Sequence, residues 1–217
     1  MEQVPPGAGL AMRSGFEGAA AWASALQAVA SLVAHDFRNA LNAVAVNLEV
    51  VHGRSARGAD AAAIAPFAAT ARAQFEAVSA AAEALLVLSR PAPGRADVVA
   101  VADSLARLLA LRGDGAVQLT RFGAGAAFTA VPPDVVRAVV ARGVLSALAG
   151  GPPAACEITV GDGIFLRVSG AANASPSLDP DLVAVASTYA VAVATRGHVL
   201  EIRFPTLGTD ATPDAAE

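Results

Sequence analysis

Cysteine is all but missing from this chain of 217 residues: Cys156 is the single one, so no disulfide forms within it. Cys156 lies in a strand-like run, and the expectation is a buried, inert thiol. Aromatic residues make up only 5% of the chain, so its 55% hydrophobic content, rich in Ala and Val, must build a core from small aliphatic side chains. The net charge is -4 and Lys and Arg form no cluster, which argues against nucleic acid as a partner. Met1 to Gly15 has no basic start followed by an apolar run, so it does not read as a signal peptide. No uncharged apolar run reaches the ~18 residues of a membrane span. The expectation is a soluble, cytoplasmic protein with no membrane partner.

What is present is a long helical pattern. Trp22, Leu26, Val29, Val33, Phe37, Ala40, Val44, Leu48 and Val51 recur in steps of three and four, which predicts an amphipathic helix from about Phe16 to Val51. His35 falls on the opposite side from Val33 and Phe37 and therefore faces outward. Its strip also carries Ser31, Arg38, Asn39, Asn42 and Glu49, and Asn39 stands one turn beyond His35. The glycines and polar residues from His52 to Asp60 predict a loop. A second helix ending near Ser89 carries the stripe Ile64, Phe67, Ala71, Phe75, Val78, Ala82, Leu85 and Leu88. Pro66 either sits near the start of that helix or kinks it. Two such helices form an antiparallel hairpin whose stripes need a second copy, giving a dimeric four-helix bundle.

The remaining pattern is mixed. Residues 1–15 read as a flexible tail, 16–90 as the hairpin, 91–95 (PAPGR) as a linker, 96–205 as a second domain and 206–217 as another tail. Within the second domain Asp97 caps a helix to about Arg112. Ala116–Phe122 alternates like a strand, with Ala127–Val131 as its expected partner. A helix follows Pro132-Pro133, from Asp134 to Leu148. Glu157–Val160 and Ile164–Val168 flank Gly161-Asp162-Gly163, a hairpin signal. Asp179-Pro180 opens a helix expected to reach Thr195 and to stop at Gly197. His198–Phe204 is the last strand, with the tail beginning at Pro205. The fold class is α+β, a helical hairpin followed by an α/β sandwich with its helices on one face.

The string HDFRNALNAV resembles the phosphoacceptor box of the bacterial histidine kinases. His35, Asp36, Arg38, Asn39 and Leu41 match the family's pattern, and Ala40 replaces its usual proline. ALLVLSRP at the end of the second helix is similar to the end of that family's second dimerisation helix. The second domain resembles, in topology, the family's ATP-binding domain. Over the nucleotide-binding positions the likeness fails. Arg142 and Ser146 stand where magnesium-binding asparagines are expected, and neither offers a neutral amide. Ser169 stands near the position of the adenine-reading aspartate, and SPSLDPDLVAVA leaves no glycine-rich lid. No GxxxxGK[ST] occurs, and Gly123-Ala124-Gly125-Ala126-Ala127-Phe128 reads as a hairpin loop rather than a phosphate cradle. His52 and His198 have no second ligand at metal spacing.

The resemblance therefore implies a histidine phosphotransferase with a degenerate ATPase-like domain. His35 is the expected phosphorylated residue, Asp36 orients its ring or takes its proton, Arg38 offsets phosphoryl charge, and Asn39 positions phosphate or water. Arg38 and Asn39 also read as a plain solvated face, as Asn42 does, while Phe37, Leu41 and Val44 read as core or dimer contacts. The expected partners are receiver domains of response regulators, an upstream hybrid histidine kinase and a second copy of the chain. No cofactor or metal of its own is expected, the Mg²⁺ coming from the receiver. Two other readings stay open: a pseudokinase scaffold that accepts no phosphate, and a divergent ATP-dependent kinase.

Overall fold

The computed structural model describes residues 8–91, 94–112, 117–123, 127–149, 154–170, 176 and 178–206, with side chains from residue 17 onward. It is an α+β fold: an N-terminal helical hairpin is followed by a sheet covered by helices. Helix α1 spans Ala8–Ala56 and helix α2 spans Ala61–Ser89. α1 is longer at both ends than its stripe predicts. Ala8, Leu10, Ala11 and Met12 are strong helix formers, and they carry a helix already nucleated downstream through Gly9 and Gly15. The flexible tail expected up to Gly15 is thus helical from Ala8, while residues 1–7 lie outside the described residues. The expected loop also shrinks, since His52 to Ala56 are helical.

The reversal is carried by Gly58 at φ +73, where a left-handed conformation favours glycine. Ala59 N–H returns to the Arg54 carbonyl at 3.1 Å. Asp60 then caps α2, its side chain accepting from Ala63 N–H at 2.8 Å. Arg54 locks the turn by donating to the Ala63 carbonyl at 2.9 Å with its guanidinium 4.4 Å from the Phe67 ring centroid. Pro66 lies inside α2, five residues past its start, so the helix does not begin at the proline.

After a two-residue strand, β1 (Ala96–Asp97), helix α3 (Val98–Leu109) starts on the Asp97 cap, which accepts from Val99 N–H at 2.9 Å. A 3-10 turn, Ala110–Arg112, extends it. Then come β2 (Val117–Phe122), β3 (Phe128–Thr129), α4 (Pro133–Leu148), β4 (Ala154–Val160), β5 (Ile164–Ser169), α5 (Pro180–Thr188), β6 (Ala192–Arg196) and β7 (Val199–Phe204). The five-stranded sheet runs β2-β4-β5-β7-β6. β2 and β4 are parallel and the other neighbours antiparallel.

Three expectations for this region are corrected. The segment 127–131 does not pair with β2; β3 pairs with β1, and β2 takes β4 through the α4 crossover. At the end of β2, Gly123 at φ +98 packs so closely on the Val160 carbonyl that a Cβ would collide. The helix expected to reach Thr195 ends at Thr188. Ala190 adopts φ 56, Val191 N–H returns to the Ala186 carbonyl at 3.0 Å, and the alternating Ala192–Arg196 becomes an edge strand. Gly197, at φ 61, turns β6 into β7 rather than stopping a helix. Finally, Pro205 and Thr206 are not a loose tail. Thr129 Oγ1 donates to the Pro205 carbonyl at 2.7 Å and Thr206 bridges to Thr129; residues 207–217 lie outside the described residues.

Strand alternation places the core. Cys156, Ile158, Leu166, Val168, Leu200, Ile202 and Phe204 are buried beneath the helices. Glu157 and Arg167 stand exposed on the other face, with Arg167 Nε 2.9 Å from Glu201 Oε2. Burying a side chain such as Leu166 or Ile202 contributes about 2–3 kcal/mol. The same core continues into α1 through Trp22, Ala25, Val29 and Val33, and into α2 through Ala81, Ala84 and Leu88. At Gly18 a Cβ would lie 2.8 Å from Val135 Cγ2, so α1 approaches α4 closely.

Candidate functional site

His35 lies past the middle of α1, where helical spacing turns it away from the buried Val29, Val33 and Ala40. Its side chain is 73% exposed. Asn39 reaches back one turn, its Nδ2 lying 3.0 Å from His35 Nδ1 and 3.4 Å from Nε2. Asp36 Oδ1 lies 3.5 Å from His35 Nδ1, and that side chain is mostly shielded from solvent. This separation is at the long limit of a hydrogen bond, so Asp36 acts chiefly as a charge beside the ring. Adjacent helix positions point about 100° apart, and only the flexible reach of both side chains brings the carboxylate this near. The helix thus brings His35, Asp36 and Asn39 together. Arg38 is exposed on the other flank of His35, about 60° further round the helix, and Asn42 is exposed as well.

The two neighbours make different demands on the ring. An amide N–H from Asn39 needs a bare Nδ1, which leaves the ring proton on Nε2. A bond toward Asp36 needs Nδ1–H, which leaves the Nε2 lone pair facing solvent. With the Asn39 amide turned over, its oxygen also accepts from Nδ1–H, and both neighbours then favour a nucleophilic Nε2.

Apolar side chains without cover surround this strip. Leu41 and Leu48 on α1 are 50% and 52% exposed, and Phe75 and Leu86 on α2 are 58% and 57% exposed. Phe75 and Leu48 belong to the stripes read from sequence, but the hairpin alone does not bury them. Leu86 was outside those stripes; its signal is the spacing Phe75, Ser79, Ala82, Leu86, a second row of fours and threes on α2. Val46, three turns beyond His35 on the same strip, is also exposed.

In the sheet domain Arg142 is engaged rather than open. Its guanidinium lies 2.5 Å from Asp179 Oδ2 and 3.1 Å from Asp181 Oδ2. It also donates to Ser24 Oγ of α1 at 3.0 Å. Ser146 is half-buried one turn further along α4, and Ser169 is half-buried at the end of β5. Of the stretch SPSLDPDLVAVA expected to show no lid, Ser175 and Ser177 lie outside the described residues, and from Asp179 the chain leads directly into α5. Among the described residues no three His, Cys, Asp or Glu side chains are placed to hold a metal ion. A cleft of about 390 Å³ opens between the Asp162–Gly163 turn and Ala190, Ala192, Arg203 and Thr206, and it contains none of the His35 group. Cys156 is buried, and burial pushes its thiol up to about 12, so it is no nucleophile at neutral pH.

No protein-family model matches the chain, and no curated protein matches it. Solved structures do resemble it. One is a bacterial phosphotransferase, at 15% identity and a TM-score of 0.40, covering 82% of this chain and 94% of that one. Another is the Acinetobacter baumannii histidine kinase AdeS, at 12% identity and a TM-score of 0.39, covering 79% of this chain and 98% of that one. Among the described residues no helix is long and apolar enough to cross a membrane.

Proposed function

We propose that the protein is a histidine phosphotransferase of a two-component phosphorelay, carrying a phosphoryl group on His35 between receiver-domain aspartates without binding ATP. The observation that carries this reading is the presentation of His35: an imidazole 73% exposed on a rigid helix, with a carboxylate at 3.5 Å and an amide at 3.0 Å from Nδ1. A neutral imidazole is a competent nucleophile near pH 7. When a receiver's aspartyl phosphate docks, the lone pair of one ring nitrogen attacks phosphorus. The N–P bond forms, the bond from phosphorus to the aspartate oxygen breaks, and the receiver's carboxylate leaves with the electron pair. Asp36 beside the ring stabilises the positive charge that develops on it, and Arg38 on the neighbouring flank offsets phosphoryl charge. The Mg²⁺ that such a transfer requires comes from the receiver, leaving this chain to supply a positioned nucleophile.

The same reading places two copies of the hairpin together as a four-helix bundle. Phe37, Leu41, Val44, Leu48 and Val51 step by four and three along α1, a heptad seam left half open in the single chain. Against a kinase stands Arg142: a guanidinium held by two carboxylates occupies the position where a metal-binding amide is expected.

The test is to incubate the purified protein separately with a phosphorylated receiver domain and with Mg-ATP, tracking acid-labile phosphate on wild type and on His35→Gln. Label arriving on the wild type from the receiver, and lost in the variant, is the expected result. Label from ATP makes the protein a kinase. No label from either source, with a receiver shown to bind, leaves a scaffold.

A further inference from the structure

The hairpin and the sheet domain are connected in sequence only through residues 90–95, and short linkers of that kind leave domains free to move unless the interface between them is large and apolar. Here the interface is apolar: Trp22, Ala25, Val29 and Val33 of α1 share one continuous core with α3, α4 and the sheet. Two arginines of α4 are set into its edges. The Arg137 side chain is 8% exposed. Its Nη1 donates to the carbonyl of Arg90, the C-cap of α2, at 2.8 Å and to Asp134 Oδ1 at 3.3 Å. Its guanidinium carbon lies 6.0 Å from the Trp22 ring centroid. A cation at that carbonyl also meets the negative end of the α2 dipole. Five residues on, Arg142 joins Ser24 of α1 to Asp179 and Asp181 at the start of α5.

We propose that Arg137 and Arg142 clasp the sheet domain to the hairpin in a single orientation, so that the two halves move as one body. Five helix positions correspond to about 140° of rotation, so the two side chains leave α4 in different directions. The shared core holds the halves together without fixing their register. Two polar contacts at its edges, one on the end of α2 and one on α1, oppose sliding and rotation across it. Lysine in place of Arg142 would lose contacts, because the planar guanidinium fork reaches Asp179 through Nη1 and Ser24 and Asp181 through Nη2. Arg137 makes both of its bonds from Nη1. The inference concerns geometry and does not rest on the role proposed for His35. Its consequence is that a partner touching both halves meets a preformed surface and does not spend binding energy on ordering them.

The experiment places spin labels at Ser55→Cys on α1 and Thr195→Cys on β6, both exposed positions, while the buried Cys156 remains unlabelled. Doubly labelled protein is diluted into excess unlabelled protein, so that only distances within one chain are read by pulsed electron resonance. The expected result is one narrow distance distribution for the wild-type background and a broad or multiple one for Arg137→Met with Arg142→Ala. If the double variant loses helicity by circular dichroism, the milder pair Ser24→Ala with Arg142→Lys takes its place, with the same expected broadening. A broad distribution in the wild-type background, or a folded clasp variant as narrow as wild type, overturns the proposal. No phosphoryl donor is present, so failure here is distinct from failure of the phosphotransferase reading.

Discussion

At the scale of single residues, His35 and Cys156 mark two extremes of environment. The imidazole is solvated and flanked by an amide and a carboxylate, whereas the thiol is sealed beneath the sheet's helices and held protonated to about 12 by desolvation. That difference has a measurable consequence. In the unfolded chain the thiol ionises at its ordinary pKa of 9.0, so above that pH the unfolded state binds fewer protons than the folded one. The stability from the neutral thiol is fully present below the unfolded pKa and is lost as pH rises toward the folded one, at up to about 1.4 kcal/mol per pH unit. Denaturant titrations of wild type and Cys156→Ala between pH 8 and about pH 11 should show this extra slope only in the wild type. The residue scale was partly legible. Helical spacing alone paired His35 with Asn39, but the approach of the Asp36 carboxylate to the ring needed side-chain conformations that no spacing rule provides.

At the scale of elements, the misplaced end of α5 has a simple cause: alanine. Ala-rich stretches satisfy helix propensity wherever they occur, and the run YAVAVAT after α5 reads as helix until the chain's turn at Ala190 is seen. Ala190 holds a left-handed conformation that costs an L-residue about 1 kcal/mol. Ala190→Gly should therefore leave the fold unchanged and raise stability by roughly 0.5–1 kcal/mol, read by chemical denaturation. The opposite holds for Gly143 of α4. A Cβ there would meet Ile202 Cδ1 at 2.8 Å, inside a buried contact between helix and sheet. Gly143→Ala should destabilise by about 1–3 kcal/mol, its overpacking outweighing alanine's better helix propensity. A Gly143→Ala protein as stable as wild type would mean that α4 sits less tightly on β7 than the structure shows. The partner of the short strand β3 was beyond sequence reasoning for another reason. Two residues carry no alternation to match, and their pairing with Ala96–Asp97 joins segments roughly thirty positions apart.

At the scale of the whole molecule, the surface left bare by the hairpin argues for a second copy. Leu41, Leu48, Phe75 and Leu86 are each about half exposed, and a row of large apolar side chains on two adjacent helices is a face awaiting burial. Under the proposed reading the protein is a homodimer in solution. Leu41→Glu with Leu48→Glu should shift it to monomer by light scattering coupled to size exclusion, because two like-charged pairs would be forced together in the bundle seam. A monomeric wild type at micromolar concentration would remove the bundle from the account while leaving the chemistry of His35 to be tested on its own.

The sequence by itself determined the hairpin, the outward direction of His35, the pairing of His35 with Asn39, the caps at Asp97 and Asp179 and the strand pair flanking Gly161-Asp162-Gly163. These rest on periodicity and local hydrogen bonding, which act within a few residues along the chain. Only the tertiary structure decided which strands are neighbours, where α5 ends and what Arg137 and Arg142 hold. Those outcomes depend on contacts between residues far apart in sequence, such as Arg142 with Ser24 and Arg137 with the Arg90 carbonyl. No local pattern records such a contact, because its energy exists only once packing has brought the two segments together.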